Sequence, residues 1–271
     1  MSDCTHECSS CKQNCGKREI PKEKPNDGSR IKKIYAVVSG KGGVGKSLAT
    51  ALLAVCAQKS GYKSAILDAD ITGPSIPKAF GITEKAVGDG EFILPAVSRT
   101  GVKIMSVNLL LENDDDPVVW RGPIIAGTVK QFFTDVTWGE VDYMFVDCPP
   151  GTGDVPLTVF QSLPIEGIIV VASPQELVSL IVEKAVKMAE MMSIPILGAI
   201  ENMAYFVCDK CGEKHYIFGE GDLKAVAAKK GIPAFAEIPF DKKLAKLTDV
   251  GAIEFADTRY LADFAEKLFN G

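Results

Sequence analysis

The sequence lacks several features that would place the protein in a membrane, on DNA or in a secretory pathway. No apolar run reaches the roughly 18–20 residues that a membrane-spanning helix needs. The formal net charge is −5, whereas duplex-DNA binders use an excess of Lys and Arg to neutralise phosphates. The N-terminus is polar and rich in cysteine, which is unlike a signal peptide. We therefore expect a cytoplasmic protein that binds neither membrane nor nucleic acid.

Cysteine, by contrast, is present in an informative arrangement. Of the eight cysteines, six form two tight groups, namely Cys4, Cys8, Cys11 and Cys15 near the N-terminus, and Cys208 with Cys211. In a reducing compartment, clustered cysteines are metal ligands or redox groups more often than disulfides. The isolated Cys56 and Cys148 are expected to be small buried residues, because free cysteine is among the most buried residue types.

The hydrophobic pattern of the chain changes near residue 31. Residues 1–30 have almost no apolar periodicity and are predicted to be an extension that a bound metal orders. Residues 31–271 are predicted to form one ATPase domain, with an insertion near residues 208–211. Its strand candidates are Ile34–Val38, Ser64–Leu67, Val102–Val107, Tyr143–Val146, Gly167–Ala172, Ile196–Ile200 and Ala234–Ile238. Its helix candidates include Ser47–Ser60, Gln175–Met191, Asp222–Lys230 and Thr258–Phe269. This alternation predicts an α/β fold with a doubly wound, mostly parallel sheet and helices on both faces.

A phosphate-binding loop follows the first of these strands. Its residues fit the pattern G-x-x-x-x-G-K-[ST] in full: Gly40-Lys41-Gly42-Gly43-Val44-Gly45-Lys46-Ser47. Glycines let backbone N–H groups surround phosphates, and the helix N-terminus adds partial positive charge. Lys46 is predicted to bind the β- and γ-phosphates of ATP, and Ser47 to hold Mg²⁺. The alternative to a phosphate-binding loop is a Gly-rich turn that contains a lysine by chance.

Carboxylates at two other strand ends complete the predicted site. Asp68 and Asp70 follow the second strand candidate, at the edge where ligands bind to open α/β sheets. Asp147 ends the apolar run Tyr143–Val146, so we expect it to support Mg²⁺ through water. The loop Gly151-Thr152-Gly153-Asp154 is predicted to sense the γ-phosphate. Taken singly, each aspartate could instead be a helix cap or a turn residue.

The second lysine of the loop, Lys41, marks a resemblance to the ATPases with a deviant Walker A motif. These include the partitioning and division-site ATPases, the nitrogenase iron protein and the Mrp/ApbC cluster carriers. In that group the early lysine reaches across a dimer interface to the partner's nucleotide. The resemblance therefore implies a catalytic role for Lys41, beside Lys46, Asp70 and Asp147. A solvated surface lysine remains the alternative on spacing alone.

Longer motifs resemble the Mrp/ApbC family of iron–sulfur carrier ATPases in particular. They are the segments 146–154 (VDCPPGTGD) and 68–77 (DADITGPSIP), and Glu201-Asn202-Met203 followed by Cys208-Asp209-Lys210-Cys211. The resemblance spans about Lys33 to Phe269. It implies a homodimer that hydrolyses ATP slowly and passes [4Fe–4S] clusters to apo iron–sulfur proteins. It further implies a cluster bridged by Cys208 and Cys211 of both chains, with Asn202 and Pro239 beside the adenine.

The residues alone do not determine which metal each cysteine group binds. Cys4-x₃-Cys8-x₂-Cys11-x₃-Cys15 overlaps the bacterial ferredoxin pattern only in part, and zinc in a Cys₄ site is the rival of a cluster. Cys208 and Cys211 need a second pair, either Cys8 and Cys11 or the same pair of a dimer mate. The family resemblance favours the dimer mate and iron–sulfur. His215 and His6 are further ligand candidates, although a surface histidine is the simpler interpretation.

Three rival functions compete with the carrier hypothesis. A division-site or partitioning ATPase would use a basic amphipathic C-terminal helix or basic patches, but the last helix mixes Asp263, Glu266 and Lys267. An electron-transfer reductase needs a cysteine soon after the Asp147 loop, and residues 151–174 contain none. A zinc-stabilised nucleotide-switch regulator is separated by metal analysis, because iron with sulfide colours a protein brown and zinc does not.

Overall fold

The computed structural model describes residues 21–71, 73, 75–88, 90, 92–111, 122–151, 153–174 and 178–270. Several predicted features lie outside these residues, namely Cys4, His6, Cys8, Cys11, Cys15, Thr72, Pro74, Thr152 and residues 175–177 of a helix candidate. The proposed metal-binding role of residues 1–20 therefore stays a prediction.

Strands and helices alternate along most of the described chain. Its strands are β1 (Ser29–Ser39), β2 (Ser64–Asp68), β3 (Val87–Gly88), β4 (Ile93–Leu94), β5 (Ala96–Val97), β6 (Lys103–Met105), β7 (Gly139–Asp147), β8 (Gly167–Ala172), β9 (Ile196–Asn202), β10 (Phe206–Val207), β11 (Lys214–His215) and β12 (Ala234–Ile238). Its α-helices are α1 (Lys46–Lys59), α2 (Ile76–Ala79), α3 (Gly122–Thr134), α4 (Asp154–Ser162), α5 (Val178–Met192), α6 (Leu223–Lys229), α7 (Lys242–Asp249) and α8 (Ala262–Asn270). Among the described residues, no helix combines the length and hydrophobicity needed to cross a membrane.

The central sheet has eight strands in the order β12-β9-β8-β1-β7-β2-β6-β5. All neighbours pair in parallel except β5, which runs antiparallel to β6 at one edge. Because the strands are parallel, the carboxyl ends of β1, β2, β7 and β9 meet at one edge of the sheet. Chain order reverses around β1, and such a switch point is where open α/β sheets bind ligands.

The core has two layers, one on each face of the sheet. Successive β1 residues alternate between them: Ile34 and Ala36 contribute to one layer, and Tyr35 and Val37 to the other. Helices α3, α4 and α5 cover the first face, while α1 and α8 cover the second. A strand buried on both faces must be apolar throughout, which explains the continuous run in the sequence. The predicted doubly wound α/β fold is confirmed.

Element boundaries differ from the predictions where burial changes along a strand. The first strand begins at Ser29 rather than Ile34, because its first half is only partly buried and pairs with β7 through mixed polar and apolar residues. For the same reason β7 begins at Gly139 and not at Tyr143. The candidate Val102–Val107 shortens to Lys103–Met105 and then turns into a 3₁₀ segment, Val107–Leu109.

The last predicted helix starts later than expected. Thr258–Phe269 divides into a 3₁₀ turn, Arg259–Leu261, and the α-helix Ala262–Asn270. The Asp257 carboxylate accepts hydrogen bonds from the backbone and guanidinium of Arg259, and this local pairing favours a turn. Helices α2, α3, α4 and α7 were not specified from the sequence. Of these, α2, α3 and α4 have proline in the first turn, where it is tolerated but weakens the helical pattern.

Residues just before the predicted domain boundary at residue 31 already contact the packed domain. The Glu23 backbone N–H donates to the Ser162 carbonyl oxygen (2.8 Å), and Lys130 pairs with the Glu23 carboxylate (2.6 Å). Residues 29 and 30 belong to β1. The packed domain thus starts before residue 31, while the character of the extension itself stays a prediction.

Gly198 of β9 is predicted to set how closely α8 packs on the sheet. A Cβ atom there would lie 2.4 Å from two ring atoms of Phe264, which is 1% exposed. We expect Gly198→Ala to lower the free energy of unfolding by about 1–3 kcal/mol, since overpacking displaces a buried ring. Urea unfolding measures the change. Gly127→Ala is the matched control: it lies in helix α3 with open space around it and should stabilise by about 0.5–1 kcal/mol. Unchanged stability of Gly198→Ala would contradict the packing argument.

Candidate functional site

The predicted phosphate loop connects the central strand β1 to helix α1. Gly43 and Gly45 adopt left-handed backbone conformations, with φ of 83° and 80°. Gly45 precedes α1, and a Cβ atom on it would lie 2.1 Å from the Asn202 side-chain nitrogen. Glycine is therefore required at this position on two grounds. The loop brings its backbone to the N-terminus of a 14-residue helix, where N–H groups and the helix dipole favour an anion.

Asp147 lies at the centre of a buried polar network beneath this loop. Its carboxylate is fully buried at the end of β7. Ser47 Oγ donates to one carboxylate oxygen (2.5 Å), and Thr50 Oγ1 donates to the other (2.6 Å). A buried carboxylate is tolerated only when it is paired and hydrogen-bonded. Thr50 was not identified from the sequence, because threonine inside an apolar helix has no pattern that distinguishes it.

Lys46 forms the cationic part of the network. Its ammonium nitrogen lies 2.8 Å from Asp147 Oδ2 and 3.6 Å from Asp70 Oδ2, and the side chain is only 5% exposed. Burial opposes its charge, but the Asp147 and Asp70 carboxylates outweigh burial and raise the pKa of Lys46. The structure thus brings three of the predicted catalytic residues, Lys46, Asp70 and Asp147, into contact.

Asp68 is the neighbour of Asp147 across the β2–β7 pair. Ser106 Oγ donates to its carboxylate (2.9 Å), and the Asp70 backbone N–H donates to the other oxygen (3.2 Å). Burial and the nearby Asp147 carboxylate raise the pKa of Asp68, because two adjacent buried acids cannot both ionise easily. Ser106, which directly follows strand β6, was not identified from the sequence, because it lies 38 residues from Asp68 along the chain.

The outer side of the loop is open. Gly40, Lys41, Gly42 and Gly43 are exposed. Ser39 Oγ donates to the Lys41 carbonyl oxygen (2.9 Å), and the Gly151 backbone N–H donates to the Ser39 carbonyl oxygen (2.8 Å). The second predicted loop, residues 151–154, therefore begins beside the phosphate loop. An exposed Lys41 is compatible with a role outside its own chain, and that role stays a prediction.

Asn202 lies directly against the phosphate loop. Its side chain is 2% exposed, and its amide nitrogen donates to the Val44 carbonyl oxygen (2.8 Å). Pro239 follows β12, where the Ala204 N–H donates to the Ile238 carbonyl oxygen (3.0 Å). In this structure Asn202 supports the loop; its predicted contact with adenine, and that of Pro239, stay predictions.

Cys208 and Cys211 lie on a hairpin beyond the end of β9. Strand β10 pairs with β11, and the Cys208 N–H closes the ladder on the Glu213 carbonyl oxygen (2.9 Å). The two sulfur atoms and a ring nitrogen of His215 all lie within 4.8 Å of one another. Hydrogen bonds from the backbone of Cys211 and Lys210, followed by the Cys211 thiol, lower the pKa of Cys208. His215, a further ligand candidate from the sequence, thus lies beside both cysteines.

The other cysteines of the described chain are unsuited to ligand binding. Cys56 and Cys148 are buried, as predicted, whereas Cys211 is exposed and Cys208 half-buried. Burial raises the pKa of the Cys56 thiol and raises that of Cys148 to about 12. Because the thiolate is the metal ligand and the nucleophile, the described cysteines available for such chemistry are Cys208 and Cys211.

The fold and the loop define a P-loop nucleotide-binding protein, and comparison with known proteins gives its family. Residues 30–269 match the family model ParA, which is described as NUBPL iron-transfer P-loop NTPase. The chain is 42% identical over 256 residues to the iron–sulfur cluster carrier protein of Clostridium perfringens, covering 91% of this chain and 90% of the relative. It is also 42% identical over 261 residues to the protein of that name from Methanocaldococcus jannaschii, covering 93% and 90%.

A solved structure extends these similarities. The nucleotide-binding protein of Archaeoglobus fulgidus, in complex with ADP and with cobalt, superposes with a TM-score of 0.79 at 46% identity, over 86% of this chain and 92% of that one. The chain belongs to the NUBPL iron-transfer P-loop NTPase family. This confirms the resemblance inferred from the motifs at residues 40–47, 68–77 and 146–154.

Thr50 offers a test of the buried network. Thr50→Val keeps the side-chain shape but removes the hydroxyl that donates to Asp147. We expect a loss of about 1.5–3 kcal/mol in the free energy of unfolding, the usual contribution of a hydrogen bond to a charged group. In a double-mutant cycle with Asp147→Ala, most of this loss should disappear, because the alanine removes the carboxylate that accepts the Thr50 hydroxyl.

Thr248→Val is the matched control for Thr50→Val. The Thr248 hydroxyl donates to the carbonyl oxygen four residues earlier, at Leu244 (3.0 Å), and lies on the surface helix α7. Its replacement should change stability by less than about 0.5 kcal/mol. Additive effects of Thr50→Val and Asp147→Ala would show that the hydrogen bond contributes nothing to the network.

Proposed function

We propose that this chain hydrolyses ATP and carries iron–sulfur clusters, which it delivers to apoproteins as cargo. The observation that carries the proposal is a pair of accessible thiols, Cys208 and Cys211, on a hairpin that follows directly from the strand ending against the phosphate loop. The name of the relatives, iron–sulfur cluster carrier protein, supports the same function.

The nucleotide part of the proposal assigns roles to residues already in contact. Lys46, now paired with Asp147 and Asp70, would bind the β- and γ-phosphates of ATP. Ser47 Oγ is an oxygen ligand of the kind that Mg²⁺ prefers, and Asp147 Oδ2, 2.5 Å away, would support the ion through a bound water, so the two residues fit an Mg²⁺ site. When bound there, Mg²⁺ neutralises charge on the phosphates. Asp70 beside Lys46 would then orient the lysine. Catalysis of this kind is mostly positioning and electrostatic stabilisation.

A homodimer completes the proposed site. Lys41 is exposed at the mouth of the loop, from which it would stabilise transition-state charge on a nucleotide of the partner subunit. Apolar side chains near the cysteine hairpin are also exposed, including Ile217 (60%) and Tyr216 (40%). Pairing two hairpins would bury such surface, which soluble monomers rarely leave in continuous patches. Two Cys208–Cys211 pairs supply the four thiolates that a [4Fe–4S] cluster takes.

Cys4, Cys8, Cys11 and Cys15 are proposed to hold a second, separate centre in each chain. Four thiolates within so short a stretch suffice for one metal site, either a cluster or zinc. Iron, sulfide and zinc analysis of anaerobically purified protein identifies the metals. Protein that contains zinc without iron would favour the nucleotide-switch regulator instead.

The two lysines of the loop should affect different steps. Lys46→Ala is expected to lose both ATP binding and turnover, because it removes the charge that holds the phosphates. Lys41→Ala should leave binding within a few-fold but reduce turnover by about 10²–10³-fold, the usual effect of deleting one transition-state donor. Phosphate release and equilibrium binding measure the two properties.

Lys229→Ala serves as the control for both lysine variants. Lys229 is exposed at the end of helix α6 and belongs to no segment of the predicted nucleotide site, so this variant should match the wild type in binding and turnover. If Lys41→Ala hydrolyses ATP at the wild-type rate, the role of Lys41 across the dimer is wrong.

Nucleotide and cluster binding should be coupled, because Asn202 connects the phosphate loop to the segment that leads to Cys208. With cluster loaded anaerobically, ATP affinity should differ by at least about fivefold from that of cluster-free protein at fixed dimer concentration. Transfer to an apo-ferredoxin-type acceptor should depend on whether ATP or ADP is present. In Lys46→Ala the dependence should vanish, and in Cys208→Ser/Cys211→Ser the transferable cluster should be lost. Equal affinities together with equal transfer rates in every condition would exclude nucleotide gating.

A further inference from the structure

The hairpin that bears Cys208 and Cys211 brings a third donor to the same place. Phe206 lies opposite His215 in the β10–β11 ladder, and Cys208 is two residues beyond Phe206. Alternate residues of a strand share a face, and directly opposed residues point to the same side. The register therefore places His215 and Cys208 on one face of the hairpin.

The turn between the strands fixes the second sulfur. The Gly212 N–H donates to the Cys208 carbonyl oxygen (2.9 Å), and Gly212 has a φ of 74°. Glycine adopts this left-handed conformation without strain, and the chain turns back immediately after Cys211. The ligand atoms of Cys208, Cys211 and His215 consequently lie within 4.8 Å of one another.

We propose that Cys208, Cys211 and His215 of a single chain form a mononuclear binding site for a divalent zinc-like cation. Two thiolates and one imidazole are ligands that suit Zn²⁺ and Co²⁺, and three protein ligands leave a fourth position open to solvent or to another donor. The inference rests on the cysteine pair that the proposed carrier function also uses.

The single-chain site and the shared cluster use the same cysteines but require different sets of ligands. A shared [4Fe–4S] cluster takes four thiolates from two subunits, whereas the mononuclear ion takes two thiolates and His215 from one. Because His215 is exposed, it does not fill the core, and its replacement should leave the fold intact. His215 variants therefore separate the two kinds of binding.

The experiment uses Co²⁺ as a spectroscopic probe of the full-length chain, with Cys4, Cys8, Cys11 and Cys15 replaced by serine so that the probe reports on the hairpin. Anaerobic titration should show tetrahedral d–d bands, thiolate-to-cobalt charge transfer and one Co²⁺ per chain. Removing a ligand should cost more than the roughly 10–100-fold in affinity that loss of an outer-shell partner costs. We therefore expect His215→Ala to weaken Co²⁺ binding by more than about tenfold.

Two further variants distinguish a ligand from a structural residue. Lys214→Ala removes the adjacent exposed side chain of β11, which lies over the Tyr205 ring, and should leave Co²⁺ affinity unchanged. His215→Cys supplies a thiolate instead of the imidazole and should restore binding with stronger charge-transfer absorption. Cys208→Ser/Cys211→Ser should abolish the signal.

The outcomes separate this inference from the carrier function. One Co²⁺ per two chains, bound equally well by wild type and His215→Ala, would mean that four thiolates of two subunits hold the ion, and the inference would fail. Iron–sulfur reconstitution of the same variants gives the second readout, in which His215→Ala should still load a transferable cluster. Protein that shows the cobalt pattern but loads no cluster would overturn the carrier function and leave the mononuclear site standing.

Discussion

The buried charge of Asp147 is the constraint around which the nucleotide site is arranged. A carboxylate removed from water must be paired with a cation and with hydrogen-bond donors. Lys46, Ser47 and Thr50 meet this demand, and all three lie in the first turns of α1. The same contacts therefore join β7 to α1 and fix the start of the helix under the phosphate loop. The adjacent Asp68 sits in the same low-dielectric pocket, and its raised pKa reduces the repulsion between the two acids.

This arrangement also explains why much of the site could be predicted from sequence. The phosphate loop and Asp147 each follow a continuous apolar strand. Each motif and the strand that precedes it therefore lie in one short stretch of sequence and can be recognised there. Thr50 and Ser106 could not be predicted, because their partners lie 97 and 38 residues away and only the sheet order brings them together. The buried strands of the central sheet were predictable from their apolar runs. The half-exposed starts of β1 and β7 were not, because mixed burial weakens the pattern, and the two-residue strands β3, β4, β5, β10 and β11 were too short to leave one.

The cysteines show the same division between local and tertiary information. Spacing alone separated the clustered Cys208 and Cys211 from the isolated Cys56 and Cys148, and burial in the structure agrees with that separation. What spacing could not supply was the position of His215, which reaches the pair through the register of a two-residue ladder. A histidine four residues after a cysteine can be assigned to the same metal site only when the turn between them is known.

The segment that connects the phosphate-loop site to the cysteine hairpin is short, and hydrogen bonds fix it at several points. Asn202 at the end of β9 donates to the phosphate loop, and the next residue, Met203, has a left-handed φ of 58°. Such a conformation is uncommon for a residue with a side chain and persists where the surroundings hold it. The Ala204 N–H then donates to the Ile238 carbonyl oxygen, and the Phe240 N–H donates to the Tyr205 carbonyl oxygen, on either side of Pro239. A segment fixed at each step transmits displacement as a body instead of absorbing it in a flexible linker. Movement of the phosphate loop would therefore alter the position of the cysteine hairpin, which is the physical basis of the proposed coupling between nucleotide and cluster.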